Sequence, residues 1–157
     1  MQKLPKDKVR NIGVSNFGIK NLNHLLSQHS CKTVPAVNQI ELHPNNPSPK
    51  LVDFCKSKDI HCTGYSCLGS TDSPLYRNEM LKDMATKKGK TVQQILLVWG
   101  INKGWSVIPK SVTEERIAKN FEIDGWQLDE HEMHVMDHME GRFKVCKDGE
   151  SKLRESR

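Results

Sequence analysis

The sequence predicts an α/β fold organised on a parallel sheet, and three observations predict it. Short apolar strand-like runs alternate four times with segments of helical periodicity. No Asn-Gly hairpin signal joins the runs, so neighbouring strands are expected to connect through helices and to run parallel. Each run also ends in polar residues: Ser15-Asn16, Gln39 to His43, Tyr65-Ser66 and Lys110-Ser111. In such sheets ligands sit at the carboxyl ends of the strands, which is where this chain concentrates its amide, hydroxyl, phenol and cation groups.

The elements follow in order. Ile12-Gly13-Val14-Ser15 is the first strand, closed by Asn16-Phe17-Gly18, and Ile19 to Gln28 carries Leu22, Leu25 and Leu26 at the spacing of a helix with one buried face. Ala36 to Leu42 is the second strand and runs into a loop with three prolines. Ser48 as N-cap and Pro49 at the first helical position predict a helix through Lys58. The third strand, Ile60 to Ser66, leads into a small, polar loop from Cys67 to Pro74. Helices are predicted over Glu79 to Lys88 and Thr91 to Asn102, the latter with Thr91 and Gln94 in capping-box spacing. Val107-Ile108 is the fourth strand, stopped by Pro109, and Thr113 is placed to cap a helix through Phe121. A last helix spans Asp129 to Met139, and its Met133, Met136 and Met139 stripe is read as core.

The turn after Pro109 sets Lys110 and the Ser111 hydroxyl beside the start of a helix, with Arg116 three residues beyond the cap and Asn120 one turn further on. Two cations and a hydroxyl fit a phosphate; solvated surface charges are the alternative, and Glu114 and Glu115 weaken the anion reading unless they face outward. The net charge of +5 over 157 residues favours anionic small molecules over nucleic acid, since no aromatic-basic interleaving accompanies it. Five cysteines without Cys-x-x-Cys spacing argue against a zinc site or a disulfide framework and for reduced thiols in the cytoplasm. No signal peptide or membrane-length apolar run is expected.

The strand ends read Gly-Val-Ser-Asn-Phe, Asn-Gln-Ile-Glu-Leu-His-Pro, Tyr-Ser-Cys-Leu-Gly-Ser and Ile-Pro-Lys-Ser-Val-Thr-x-x-Arg-Ile-x-x-Asn-Phe. From Val9 to Cys146 the chain resembles the aldo-keto reductase family, its fungal-type glycerol dehydrogenase and xylose reductase members above all. The resemblance implies an NADP(H)-dependent reductase of small-molecule aldehydes and ketones on a TIM (β/α)8 barrel. It implies that Ser15, Asn16 and Gln39 hold the nicotinamide carboxamide and that Tyr65 stacks on its ring. It also implies that Ser66, Leu68, Ser70 and Asp72 surround the pyrophosphate, that Lys110, Ser111 and Arg116 clamp the 2′-phosphate, and that Asn120 contacts adenine. Two departures stand out: Cys67 replaces a proline usual in the family, and Lys119 stands where relatives often carry an acidic adenine contact, which implies weaker affinity.

A complete barrel of this kind takes about 250 residues, and this sequence resembles the second half, about four parallel strands with their helices. The family's catalytic tyrosine, lysine, aspartate and histidine lie in the first half, so no catalytic residue is assigned here and weak or absent activity of the chain alone is expected. His43 and Tyr65 are not read as replacements. Residues 1–146 are expected to form this half domain and residues 147–157 a mobile tail. Open sheet edges are expected to favour self-association. Three functional readings follow: a reductase half, a dimerising half barrel that binds NADPH without catalysis, and an interaction protein without cofactor.

Overall fold

The structure is a computed structural model that describes residues 1–146; the tail expected over 147–157 lies outside the described residues. It is α/β. Strands β1 (Gly13–Ser15), β2 (Val37–Glu41), β3 (His61–Tyr65) and β4 (Ser106–Val107) form one sheet in sequential order, all pairs parallel. Helices α1 (Ile19–Ser27) and α2 (Pro49–Ser57) connect the first three strands, and α3 (Glu79–Lys88) and α4 (Val92–Asn102) connect β3 to β4. After β4 come α5 (Glu114–Phe121) and α6 (Glu130–Asp137). Sequential parallel order with helices on one face is the order of half a (β/α)8 barrel.

The register sorts the two faces of the sheet. Ser15 pairs with Gln39, Gln39 with Thr63 and Thr63 with Ser106, while Glu41 pairs with Tyr65 one step nearer the carboxyl ends. Side chains alternate along a strand, so these residues share the face away from the helices. Asn38 and Ile40 face the helices: Asn38 is fully buried, exchanges hydrogen bonds with the Phe17 backbone and donates to Cys55 Sγ of α2 at 3.8 Å.

The core lies between sheet and helices, centred on α4, where Gln94 to Gly100 are all buried. Trp99 meets Trp105 edge-on at 5.1 Å and donates its indole N–H to Asp137 at 2.9 Å. Met136 and Met139 are buried and Met133 packs against the same cluster, as the methionine stripe predicts. Gly100 is required by close approach, because a Cβ there would stand 2.8 Å from Val107 Cγ1.

The elements match the sequence reading to within a residue or two at most boundaries, and α3 matches at both ends. The capping box of Thr91 and Gln94 is present. Two local expectations, both helix caps, are corrected. Ser48 precedes α2 but sits at φ 43°, ψ 50° with no side-chain cap bond, outside the extended conformation that lets an N-cap hydroxyl reach the first turn. Thr113 makes no cap bond either: the hydroxyl of Ser111 accepts from the Thr113 N–H at 3.2 Å. The loop after Cys67 contains a 3-10 turn, Pro74–Arg77, which proline's fixed φ initiates and Ser73 caps by accepting from the Leu75 N–H. Among the described residues no helix is long and apolar enough to cross a membrane.

Candidate functional site

The site residues gather in two groups that meet at the end of β3. The first comprises Ser15, Asn16, Gln39 and Tyr65. The Tyr65 hydroxyl donates to Asn16 Oδ1 at 2.9 Å, and the Ser15 hydroxyl donates to the Gln39 carbonyl at 2.9 Å. Asn16 has φ 59°, a left-handed conformation that asparagine tolerates better than most residues, and it turns the chain sharply where β1 ends. Burial, then the neighbouring Cys146 and Glu41, push the Tyr65 phenol above its ordinary pKa, so it stays protonated and acts as a donor. The amide of Asn16 therefore meets a neutral phenol, and Gln39 lies on the same face of the sheet as Tyr65.

The second group lines a cavity of about 660 Å³. Ser66, Leu68 and Ser70 from the loop after β3 face Lys110, Ser111, Arg116 and Asn120 across it. Among the described residues neither Lys110 nor Arg116 forms an ion pair, whereas Glu115 on the same rim is held by Lys119 at 3.0 Å. Two uncompensated cations and a hydroxyl at the mouth of a ligand-sized cavity are suited to a phosphate ester, and a guanidinium can bind one bidentately. Of the loop residues proposed from the sequence, Asp72 alone stands outside the lining, exposed to solvent.

The position of α5 depends on a residue whose role the sequence hides. No residue of α5 is buried, so its own apolar face does not fix it. Instead Gln94 Nε2 donates to the carbonyls of Lys119 and Glu122, both at 3.1 Å, tying the end of α5 to the core helix α4. The capping-box spacing marks Gln94 as a local cap, but these two further bonds span 25 and 28 residues. Gln94 thus sets where Arg116 and Asn120 stand.

Cys67 lines the cavity yet is 2% exposed, and burial pushes its thiol up to about 11. A thiol so rarely ionised is a packing residue. The loop's backbone is left-handed at Ser66 (φ 47°), Gly69 (φ 73°) and Ser70 (φ 73°), a conformation that strains the two serines but not the glycine. Gly69 also lies so near Ser73 that a Cβ would stand 2.2 Å from its Oγ. Gly69→Ala is expected to destabilise the chain by about 1–3 kcal/mol and to weaken nucleotide binding through the displaced loop, measurable by urea unfolding alongside ligand titration.

Glu41 and His43, both buried, form a polar pair beneath the mouth of the sheet, with His43 Nε2 3.1 Å from Glu41 Oε1. An acidic residue at the end of a strand, two positions before a histidine, is the signal that marks them. Burial lowers the His43 pKa below its ordinary 6.5, the Glu41 hydrogen bond opposing it only in part, so the ring is neutral at pH 7. As the pH falls below about 6.5 the unfolded chain takes up this proton first, so stability present at neutral pH is lost, at up to about 1.4 kcal/mol per pH unit. His43→Gln is expected to flatten that acid-side slope below about pH 6.5 in denaturant titrations.

Known proteins are similar to this chain. Residues 5–140 match the Aldo/keto reductase family. The chain is 46% identical over 124 residues to aldehyde reductase YPR1 of Saccharomyces cerevisiae, covering 78% of this chain and 40% of that protein. It is 44% identical over 124 residues to glycerol 2-dehydrogenase (NADP(+)) of the same yeast, with the same coverage of each. An aldo-keto reductase, MGS-M4, from a Medee basin deep-sea metagenome library, superposes with a TM-score of 0.85 at 36% identity, covering 91% of this chain and 52% of that one. The chain thus spans about 40% of the length of these curated relatives. With the strand order, the polar strand ends and these matches in agreement, the chain belongs to the aldo/keto reductase family.

Proposed function

We propose that this chain provides the cofactor-holding half of an NADP(H)-dependent oxidoreductase that reduces aldehydes or ketones to alcohols. The observation that carries the proposal is the cavity between the loop after β3 and the start of α5, where Lys110, Ser111, Arg116 and Asn120 converge. In this reading Lys110, Ser111 and Arg116 bind the 2′-phosphate, Asn120 contacts adenine, and Ser66, Leu68 and Ser70, with Asp72 from outside the lining, flank the pyrophosphate. Ser15, Asn16 and Gln39 orient the carboxamide while the Tyr65 ring stacks on the nicotinamide. The bound NADPH supplies the hydride.

A carbonyl also needs a proton. Tyr65 commits its hydroxyl to Asn16, and His43 is sealed from solvent, so neither is placed to give one. General acid catalysis contributes about 10²- to 10⁴-fold, and turnover by this chain alone is expected to fall short of its relatives by at least that factor. A cytoplasmic location is part of the proposal, supported by five free thiols.

Titrating NADPH against intrinsic fluorescence tests the reading. Saturable binding with slow aldehyde-dependent oxidation supports the reductase half; binding without turnover supports a half barrel that only holds the cofactor; no binding leaves an interaction protein. The binding-module reading is favoured by one observation. Among the described residues the outer edges of β1 and β4 are unpaired, and Val112 and Phe121, beside β4 and on α5, are more than four-fifths exposed. Concentration-dependent self-association is therefore expected in sedimentation velocity, and reduced by Phe121→Asp.

A further inference from the structure

We propose that Glu41 is a positioning residue whose buried carboxylate seats residues 143–146 across the carboxyl ends of β2 and β3 and so holds Cys146 against the nicotinamide subsite at Tyr65, beside Ser66 of the pyrophosphate loop. The location of that subsite rests on the cofactor reading above; the seat itself does not.

A carboxylate that is 4% exposed needs strong partners. Glu41 finds them in two consecutive backbone amides: Val145 donates its N–H to Oε1 at 2.6 Å and Cys146 donates its N–H to Oε2 at 2.8 Å. Both oxygens are thereby engaged by one short stretch of chain, which fixes its direction as well as its place. The loop after β2 completes the seat. Phe143 stacks on His43 with ring centroids 4.6 Å apart and donates its N–H to the Asn45 carbonyl, while Arg142 donates to the Pro44 carbonyl at 2.8 Å. Asn45 in turn donates to the Glu140 carbonyl at 2.5 Å. The consequence appears at the far end of the stretch, where Cys146 Sγ lies 3.9 Å from Ser66 Oγ, next to Tyr65. Glu41 pairs with Tyr65 in the sheet, so the residue that fixes this stretch and the ring it approaches lie on one rung.

Glu41→Gln tests the seat in the 157-residue chain. A carboxamide keeps one acceptor oxygen and turns the other position into a donor, so one of the two amides loses its acceptor. Hydrogen exchange by NMR is expected to show protection at Val145 or Cys146 falling about tenfold or more, with the α4 amides of Leu96 and Val98 unchanged. Phe143→Ala, which leaves the carboxylate intact, is expected to loosen the same two amides. The role in positioning is read by stopped-flow: NADPH should dissociate about tenfold faster from Glu41→Gln, whereas 2′,5′-ADP, which lacks nicotinamide, should dissociate at the wild-type rate. Unchanged protection at both amides in both variants would overturn the proposal. Equal acceleration for both ligands would overturn the positioning role and leave a structural contact. If wild type bound neither ligand, the cofactor reading would fail, and the exchange data alone would uphold or overturn the seat.

Discussion

Lys110→Glu is expected to abolish the proposed preference of this chain for a 2′-phosphorylated nucleotide. Lys110 and Arg116 are the rim cations without an acidic partner among the described residues, while Lys119 is held by Glu115. A hydrogen bond between charged groups is worth about 1.5–3 kcal/mol, or about 10- to 100-fold in affinity. Reversing the charge removes that attraction and adds repulsion against a doubly charged phosphate, so NADPH affinity is expected to drop about 100-fold or more. NADH, which has no such phosphate, should be affected only slightly. Because the rim is open to solvent, the effect should shrink as salt approaches about 1 M, where screening acts within about 3 Å. Calorimetric titrations of NADPH and NADH at low and high salt check all three statements. A variant that loses both nucleotides equally would mean that Lys110 supports the loop and does not read the phosphate.

Trp99→Ala has the largest expected effect on stability. Its ring is 1% exposed, meets Trp105 edge-on and donates to Asp137, so truncation empties the centre of the core and breaks a hydrogen bond together. Removing a buried aromatic side chain of this kind costs about 3–5 kcal/mol, against a total of about 5–15 kcal/mol for an ordinary domain. Trp99→Phe keeps most of the volume and loses only the bond, while Asp137 retains its ion pair with Lys103 at 2.7 Å; about 1–2 kcal/mol is expected. Urea unfolding of both variants resolves the difference. Since α4 also carries Gln94, partial loosening of this helix should reach α5 and lower phosphate affinity before the chain unfolds.

The parts of this molecule that depend on short-range chemistry were legible in the sequence. Thr91 and Gln94 cap α4 because their spacing alone puts each side chain within reach of the other's backbone. The buried faces of α1 and α6 follow from Leu22 and Met136 at helical spacing. The site was legible as a set of polar strand ends, since a parallel sheet brings all such ends to one side. What pairs with what at long range was not. Gln94 reads as a cap and also anchors α5; Glu41 reads as an odd acidic residue in a strand and binds amides more than 100 residues away. Ser48 and Thr113 occupy capping positions, yet neither side chain makes a cap bond, and at Ser48 the left-handed backbone torsion accounts for it. Asp72 belongs to the right loop, yet that loop's left-handed turns leave it outside the cavity.

On the proposed reading, the loop after β3 and the start of α5 form one pocket for a 2′-phosphorylated adenosine. Heteronuclear NMR of the labelled chain, titrated in parallel with 2′,5′-ADP and 5′-AMP, tests it most directly. Saturating shifts confined to amides of residues 66–70 and 110–120, with 2′,5′-ADP binding at least about tenfold tighter, are the predicted result. Equal affinity for the two nucleotides, or shifts spread away from those two segments, would contradict it.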